Sequence, residues 1–512
     1  MTGEKKTSGK MAKTAILMVI ITLSAKVLGM LRDILLAYFY GTSFEAVAYD
    51  TASRLPLILF DFVIGGVITA TFIPIFNELI VKKGKKEALS FASGYVTVIL
   101  IITLLLSVLG IVFSDELVAF LAPDLANETA ELASALSKIM FPMIIFCGLA
   151  FSFVGLLQSF GSFLLPAVIS LVSNLIIVAY LLVFNKNFGI YGLSAALLIG
   201  WGAQALIQLP SALKQGFRFS IKSDLFSPYI KRAFLMALPI LVSSWVQPFC
   251  NLINTRFASS IDGGISAMGY ANRLYLIIVG VFTFVATNLL FPYFAKAHSG
   301  GDKVEENRLT KSSIKTLMLI ILPITFGIFV LSEPMISVIY LRGEFNADDV
   351  KMTAEALRFF AVGMPFYAIN EIATKKFFAE QKTLTPMLCA LVSIVVNVVA
   401  VSVLAEKMGI AGIALSSSVA VAVNAALNLL MRWFKGDRMI ERSELVDIIK
   451  MLVAAVLMGL AAYFLMKALS GLLGLILIVV ICAVLYFVLC FAFGEEMVKG
   501  AAGGFFERRK RI

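Results

Sequence analysis

The chain has 512 residues, of which 60% are hydrophobic and only 15% charged, and its formal net charge is +11. That balance excludes an ordinary soluble globular domain and defines a polytopic membrane protein. The basic excess then reads as a membrane-orientation signal, because cytoplasmic loops collect Lys and Arg, and nucleic acid is discounted as a partner.

Apolar runs of about 20 residues, enough to cross a bilayer, predict helices over 15–40, 54–81, 88–113, 132–159, 162–185 and 189–210. The first run is longer than the apolar core of a signal peptide and contains Lys26, Arg32 and Asp33, so it is read as a retained helix. A second set follows over 229–257, 266–297, 312–333, 351–379, 383–405 and 409–434, and a last pair over 446–469 and 472–494. The expected fold is an all-α polytopic membrane protein with fourteen transmembrane helices. It comprises an N-lobe (1–220), a C-lobe (221–436) and a C-terminal helix pair with a basic tail (437–512).

Loop charge supports the same arrangement. The start (Lys5, Lys6, Lys10, Lys13), the loop at Lys82–Lys86, and the groups Lys214/Arg218/Lys222 and Lys296/Lys303/Arg308/Lys311 are basic. So are Lys435/Arg438/Arg442 and the tail Arg508–Arg511, whereas the alternate loops are short, neutral or acidic. Both termini are expected in the cytoplasm.

The two halves are related, and the stretches 166–209 and 386–429 read as copies of each other. At an offset of 220, Pro166 matches Pro386, Leu171-Val172-Ser173 matches Leu391-Val392-Ser393, Gly189-Ile190 matches Gly409-Ile410, and Gly192 matches Gly412. Ala52-Ser53-Arg54-Leu55 matches Ala271-Asn272-Arg273-Leu274, and Lys138 falls opposite Arg358. Paired halves with basic residues inside apolar segments point to a transporter with its site between them.

Ionisable residues within membrane helices are the functional candidates, since they face a bundle interior or a wet cavity. Lys26 and Asp33 are seven apart, about 20° around the helix and roughly 10 Å along it; Arg54 and Asp61 repeat that spacing in the second helix. Each stripe pairs a base with an acid able to hold it, leaving positive charge for an anion. Arg273 and Arg256 extend the set in the second half. Each has a plain alternative, structural ion pairing or snorkelling, which weighs most for Arg256, Lys138 and Arg358. Asn174, Asn251, Asn254 and Asn397 are read first as interhelical hydrogen bonds. Pro56, Gly65, Gly66 and Pro74, and Pro239, Pro248, Pro292 and Pro365, mark broken helices where transporters bend.

Cys147, Cys250, Cys389, Cys482 and Cys490 lie within predicted helices without metal-like spacing and read as small buried hydrophobes. The single histidine, His298, begins a basic loop. No phosphate-cradling loop and no nucleophile with a histidine base is seen, so neither an enzyme nor a cofactor is expected.

The run Lys26-Val-Leu-Gly-Met-Leu-Arg32-Asp33, then Leu55-Pro56, Phe72-Ile73-Pro74, Tyr270-Ala271-Asn272-Arg273-Leu274 and Leu341-Arg342-Gly343-Glu344-Phe345 resemble motifs of the MurJ (MviN) lipid II flippases. The resemblance runs through nearly the whole chain, and the order of the motifs makes it specific. It implies the fold of the multidrug/oligosaccharidyl-lipid/polysaccharide exporter superfamily: two six-helix lobes around a central cavity and a further pair forming a lipid groove. By motif, Arg32 and Asp33 match the first-helix Arg-Asp, Arg273 the eighth-helix arginine, and Lys26 an earlier basic position. Family members carry an Arg-Arg pair after Leu-Pro and then Glu-Gly-Ala; this chain has Phe60-Asp61 and Gly65-Gly66-Val67. Arg54, on the face of Asp61, is the expected replacement. Some relatives have a sodium site with acids in the seventh and eleventh helices, where this chain has amides, so coupling to a monovalent cation or to the membrane potential is left open.

The expected function is a bacterial plasma-membrane flippase that moves undecaprenyl-pyrophosphate-linked peptidoglycan precursor (lipid II) from the inner to the outer leaflet by alternating access. Arg32, Arg273 and Arg54 would contact pyrophosphate through two-pronged bonds, with Asp33 positioning Arg32 and Lys26 as a further contact. Membrane lipids and cell-wall synthesis enzymes are the other partners considered. The rivals are a flippase for another lipid-linked oligosaccharide, a cation-coupled drug exporter and a membrane scaffold.

Overall fold

A computed structural model describes residues 2–64, 68–220, 227–284, 290, 293–294, 302–380, 382–434, 436–495 and 497–499. Gly65, Gly66, Lys222, Pro292, Lys296, His298, Lys435 and the tail Arg508–Arg511 lie outside them, as do the side chains of Lys5, Lys6, Lys10, Lys13 and Pro239. Among the described residues there is helix and no strand. The chain divides into two compact units, Met1–Ser266 and Ala267–Ile512. This packing boundary falls later than residue 220, where the sequence repeat turns over.

In the first unit the helices are α1 (Thr2–Tyr40), α2 (Phe44–Val63), α3 (Ile73–Lys83), α4 (Lys85–Val112), α5 (Ser114–Leu121) and α6 (Asn127–Met140). They continue as α7 (Met143–Ser159), α8 (Leu164–Val183), α9 (Asn185–Lys214), α10 (Pro228–Ser244) and α11 (Val246–Ala258). Ser43 caps α2 by accepting from the Ala46 N–H, a contribution of about 1 kcal/mol. The second predicted helix breaks after Val63 and resumes through one π-helical stretch, Ile68–Phe72, into α3, with Pro74 in the first turn where its missing N–H costs nothing. Pro56 stays inside α2, so the break does not fall at that proline. α6 and α7 form one bent pair with an angle of 42°. α1 packs on α8, α8 on α9, α7 on α9, and α2 on α6.

The second unit contains α12 (Gly264–Phe284, whose first turn precedes the boundary), α13 (Lys303–Tyr340), α14 (Ala347–Val362) and α15 (Met364–Ala379). It ends with α16 (Leu384–Met408), α17 (Ile410–Phe434), α18 (Arg442–Ala468) and α19 (Gly471–Ala492). Asn346 and Asp349 form a capping box at the start of α14. Gly363 ends that helix where a Cβ would lie 2.8 Å from Ser418 Oγ and 3.1 Å from Ser418 Cα, so any larger residue would force α17 to shift. α13 packs against α14 and α18, α16 against α17, and α18 against α19.

The repeat is visible inside each unit. The broken pair α6/α7 recurs as α14/α15 within one residue of the offset of 220, with breaks before Met143 and Met364. Gly189 (φ +52°) kinks the chain within the start of α9 and Gly409 (φ +57°) turns it between α16 and α17, both in a left-handed region where a side chain would be strained. Every predicted apolar stretch carries helix, single or broken. Among the described residues, eight helices are long and apolar enough to cross a membrane, or nine with the bent α6/α7 pair counted as one span.

Candidate functional site

α1 has a polar stripe because α8 reaches it. Asn174 of α8 donates from Nδ2 to the Ala25 carbonyl (3.3 Å) and accepts at Oδ1 from Arg32 Nη1 (2.9 Å). Asn174 lies against Gly29 of α1, where an added Cβ would come to ordinary contact distance, 3.4 Å from Nδ2. On the other side, Arg32 Nε and Nη2 donate to Asp33 Oδ1 at 3.0 and 2.8 Å. Asp33 is buried, while the Arg32 side chain keeps 31% exposure. Three of the five guanidinium N–H groups are thus spent on orientation and two remain for a ligand. Lys26, nearly two turns earlier on α1, is half-buried and makes no ion pair among the described residues.

Arg54 of α2 is held differently. Its Nη1 donates to Thr255 Oγ1 (2.7 Å) and its Nη2 to the Ile265 carbonyl (3.2 Å). Thr255 Oγ1 in turn donates to the Asn251 carbonyl at 2.7 Å, so this expected amide position contributes its backbone. Asp61 lies in the last turn of α2 and is exposed; next to it Phe62 carries the Trp245 indole, whose N–H donates to the Phe62 carbonyl at 2.8 Å.

Arg256 stands apart. It is exposed, donates to the Phe120 carbonyl at 2.7 Å and lies 5.7 Å from that ring's centre, which ties α11 to the short helix α5. Lys138 bonds Asp115 of α5 at 3.4 Å, and the Ser134 hydroxyl, together with Lys138, holds the Asp115 carboxyl below its usual range. Arg358 donates from Nε to the Phe329 carbonyl (3.1 Å) and Ser332 Oγ (3.3 Å).

In the second unit, Arg273 is half-buried with its guanidinium 5.3 Å from the centre of the Tyr270 ring. That ring packs on Tyr340 (5.2 Å) and edge-on against Phe345 (5.5 Å). The Leu341–Phe345 motif explains the cluster: Gly343 takes a left-handed φ of +62° and the chain folds Phe345 back to 1% exposure. The motif thus builds the platform on which Arg273 rests. Asn397 is buried and donates to Ser416 Oγ at 3.4 Å, an interhelical bond of the expected kind.

Sequence reasoning passed over a buried ionic network in this unit. Lys376, 2% exposed, pairs with Asp437 at 2.7 Å and Glu306 at 3.7 Å, and donates to Asn307 at 3.1 Å. Arg432 pairs with Glu380 and with Asp437 and stacks 4.0 Å over the Phe377 ring. Lys375-Lys376 at the end of an apolar run was the available signal. Among the described residues no three His, Cys, Asp or Glu side chains could share a metal ion.

The solved structure of an inward-facing multidrug resistance MATE family transporter of the MOP superfamily matches with a TM-score of 0.68 at 14% identity, over 82% of this chain and 98% of that one. A lipid II flippase MurJ in an inward closed conformation gives 0.81 at 24% identity, over 94% and 100%. The fold is that of the MOP-superfamily transporters. The sequence profile of the lipid II flippase MurJ family covers residues 36–484. The probable lipid II flippase MurJ of Bdellovibrio bacteriovorus is 30% identical over 513 aligned positions, 97% of each chain. That of Rhizobium meliloti is 28% identical over 451, covering 86% of this chain and 84% of its own. The chain belongs to the lipid II flippase MurJ family.

Proposed function

We propose that this protein moves lipid II from the inner to the outer leaflet of a bacterial plasma membrane by alternating access, for cell-wall synthesis. The observation that carries the reading is the family match over residues 36–484, preceded by Arg32-Asp33, which resembles the family's first-helix Arg-Asp. Lipid II carries a pyrophosphate, and arginine forks bind phosphate oxygens through charge-assisted bonds. Arg32 has two N–H groups left for this purpose, with Asp33 and Asn174 setting its angle. Arg54, Arg273 and Lys26 are the other contacts, with Arg54 supplying charge in the absence of a second-helix Arg pair; Asp61 and Arg256 are secondary members of the set.

Loop charge supports fourteen membrane spans with both ends in the cytoplasm, arranged as repeat lobes 1–220 and 221–436 followed by the pair in 437–512. An inside-negative potential of 100 mV is worth about 2.3 kcal/mol per charge moved across, favouring outward passage of the anionic headgroup. Cell-wall synthesis enzymes are the partners to which the product would be delivered.

The test is a bacterium depleted of its own lipid II flippase and supplied with this chain, scoring lipid II at the outer leaflet. Restored exposure that Arg32→Ala abolishes at equal protein level is the expected result. No rescue despite good membrane expression would transfer the reading to another lipid-linked oligosaccharide.

A further inference from the structure

The second unit carries a polar face where the first has none. At the offset of 220, Cys147, Ala150, Phe151, Gly155 and Leu156 of α7 fall opposite Tyr367, Asn370, Glu371, Lys375 and Lys376 of α15. Both units share an amide clamp on this helix. Gln208 Nε2 on α9 donates to the Ala150 carbonyl (3.1 Å) and the Gln204 carbonyl (3.0 Å). At the matching places Asn428 Nδ2 on α17 donates to Asn370 Oδ1 (2.9 Å) and the Asn424 carbonyl (3.1 Å). The clamp therefore belongs to the repeated fold. Glu371 does not, because Phe151 at its place stacks on Phe60 at 5.7 Å and the same helix arrangement forms with no acid there.

Glu371 sits in the middle of α15, inside a stretch read as a membrane span. Its Oε2 is buried and accepts no hydrogen bond. Its titratable neighbours are Tyr367, one turn earlier and hydrogen-bonded to the carboxyl group, and Lys375, one turn later. Tyr275 of α12 approaches Tyr367 from the facing helix. Lys375 forms no ion pair with Glu371 among the described residues and lies instead 5.8 Å from the centre of the Phe378 ring. The charges that α13, α17 and the segment after α17 bring to α15, those of Glu306, Arg432 and Asp437, gather on Lys376 and on one another.

An ionisable side chain in a membrane helix is costly and is kept for tasks that move charge. We propose that Glu371 is a proton-binding site of the transport cycle. The carboxylate takes up one proton at Oε2 to become a carboxylic acid and releases it in the opposite state, with no other reactant. The second unit thereby changes by one charge during each cycle. This proposal rests on the flippase reading for its consequence in transport, though not for the protonation itself.

Two measurements on the full-length chain test it. The first is infrared difference spectroscopy of the purified protein in detergent, titrated from mildly acidic to mildly alkaline pH, with Glu371→Gln and Glu371→Asp. The wild type is expected to show a titrating carboxylic-acid band that Glu371→Gln loses and Glu371→Asp keeps at a shifted position. Superimposable wild-type and Glu371→Gln titrations would overturn the proposal. The second is the pH profile of labelled lipid II crossing in vesicles: several-fold variation in the wild type and in Glu371→Asp, and a flat profile in Glu371→Gln. A Glu371→Gln profile equal to wild type would also overturn it. If wild type carried no lipid II at all, the flippase reading would fall, and the infrared titration, which needs no substrate, would decide the proton site by itself.

Discussion

Asn174 holds Arg32 from the facing helix, taking its Nη1 at 2.9 Å with one end of the amide while the other end donates to the Ala25 carbonyl of Arg32's own helix at 3.3 Å. The amide acts as a strut that fixes the guanidinium relative to α1. A hydrogen bond to a charged group contributes about 1.5–3 kcal/mol, so Asn174→Ala is expected to lower lipid II export by roughly ten-fold or more while leaving expression intact. Arg32→Lys keeps the charge but loses the fork and should lose a similar amount. Export measured at matched protein level checks both.

The signature loop after α13 makes a prediction about stability. Phe345 is 1% exposed between Tyr270 and Tyr340, and Phe345→Ala opens a cavity at a cost of about 3–5 kcal/mol. Arg342 of the same motif is exposed, and Arg342→Ala should fall within about 0.5 kcal/mol of wild type. Thermal unfolding in detergent separates the two, and Phe345→Ala should also weaken whatever depends on Arg273.

Gly363 predicts a steric failure. An added methyl group meets Ser418 Oγ at 2.8 Å and backbone at 3.1 Å, so Gly363→Ala should destabilise by about 1–3 kcal/mol. Ser418→Ala removes the hydroxyl but not the backbone contact, so the double substitution should recover only part of the loss, read by the same unfolding measurement.

Glu380 gives a pH dependence with a defined sign. Burial opposes its charge, but hydrogen bonds from Arg432 and Lys382 prevail and hold the carboxyl below its usual value of 4.5. A depressed carboxyl contributes stability that is complete above its unfolded value and is lost as pH falls through the folded one. The turn closed by the Lys382 N–H to Phe377 carbonyl bond (2.9 Å) should therefore exchange hydrogen faster only at acidic pH, and in Glu380→Gln already at neutral pH.

The fold was legible where the sequence spoke in lengths and repeats: the apolar runs carry helix, and the match of Gly189 with Gly409 proves to be a shared left-handed turn. Of the residues expected to interrupt the second predicted helix, Pro56 is accommodated within α2, whereas the helix ends at Val63, next to the Gly65-Gly66 pair that lies outside the described residues. Within the candidate site, the Arg32-Asp33 contact follows from adjacency. Its anchorage to Asn174 does not, since a contact spanning 142 positions depends on how α8 is packed. Arg256, for which snorkelling or structural pairing was the weightier reading, donates to the Phe120 carbonyl, a partner 136 positions away that no local pattern indicates. The network on Lys376 was missed because its acids come from segments distant in the chain, and no local pattern pairs them.

Flippase activity and the arginine site are both tested by the crossing of labelled lipid II in vesicles reconstituted with the purified chain, beside Arg32→Ala, Arg54→Ala and Arg273→Ala. Crossing well above protein-free vesicles is expected for the wild type, and its loss in each variant that remains folded. Crossing no faster than in protein-free vesicles would contradict the flippase, and undiminished crossing in all three variants would contradict the arginine site.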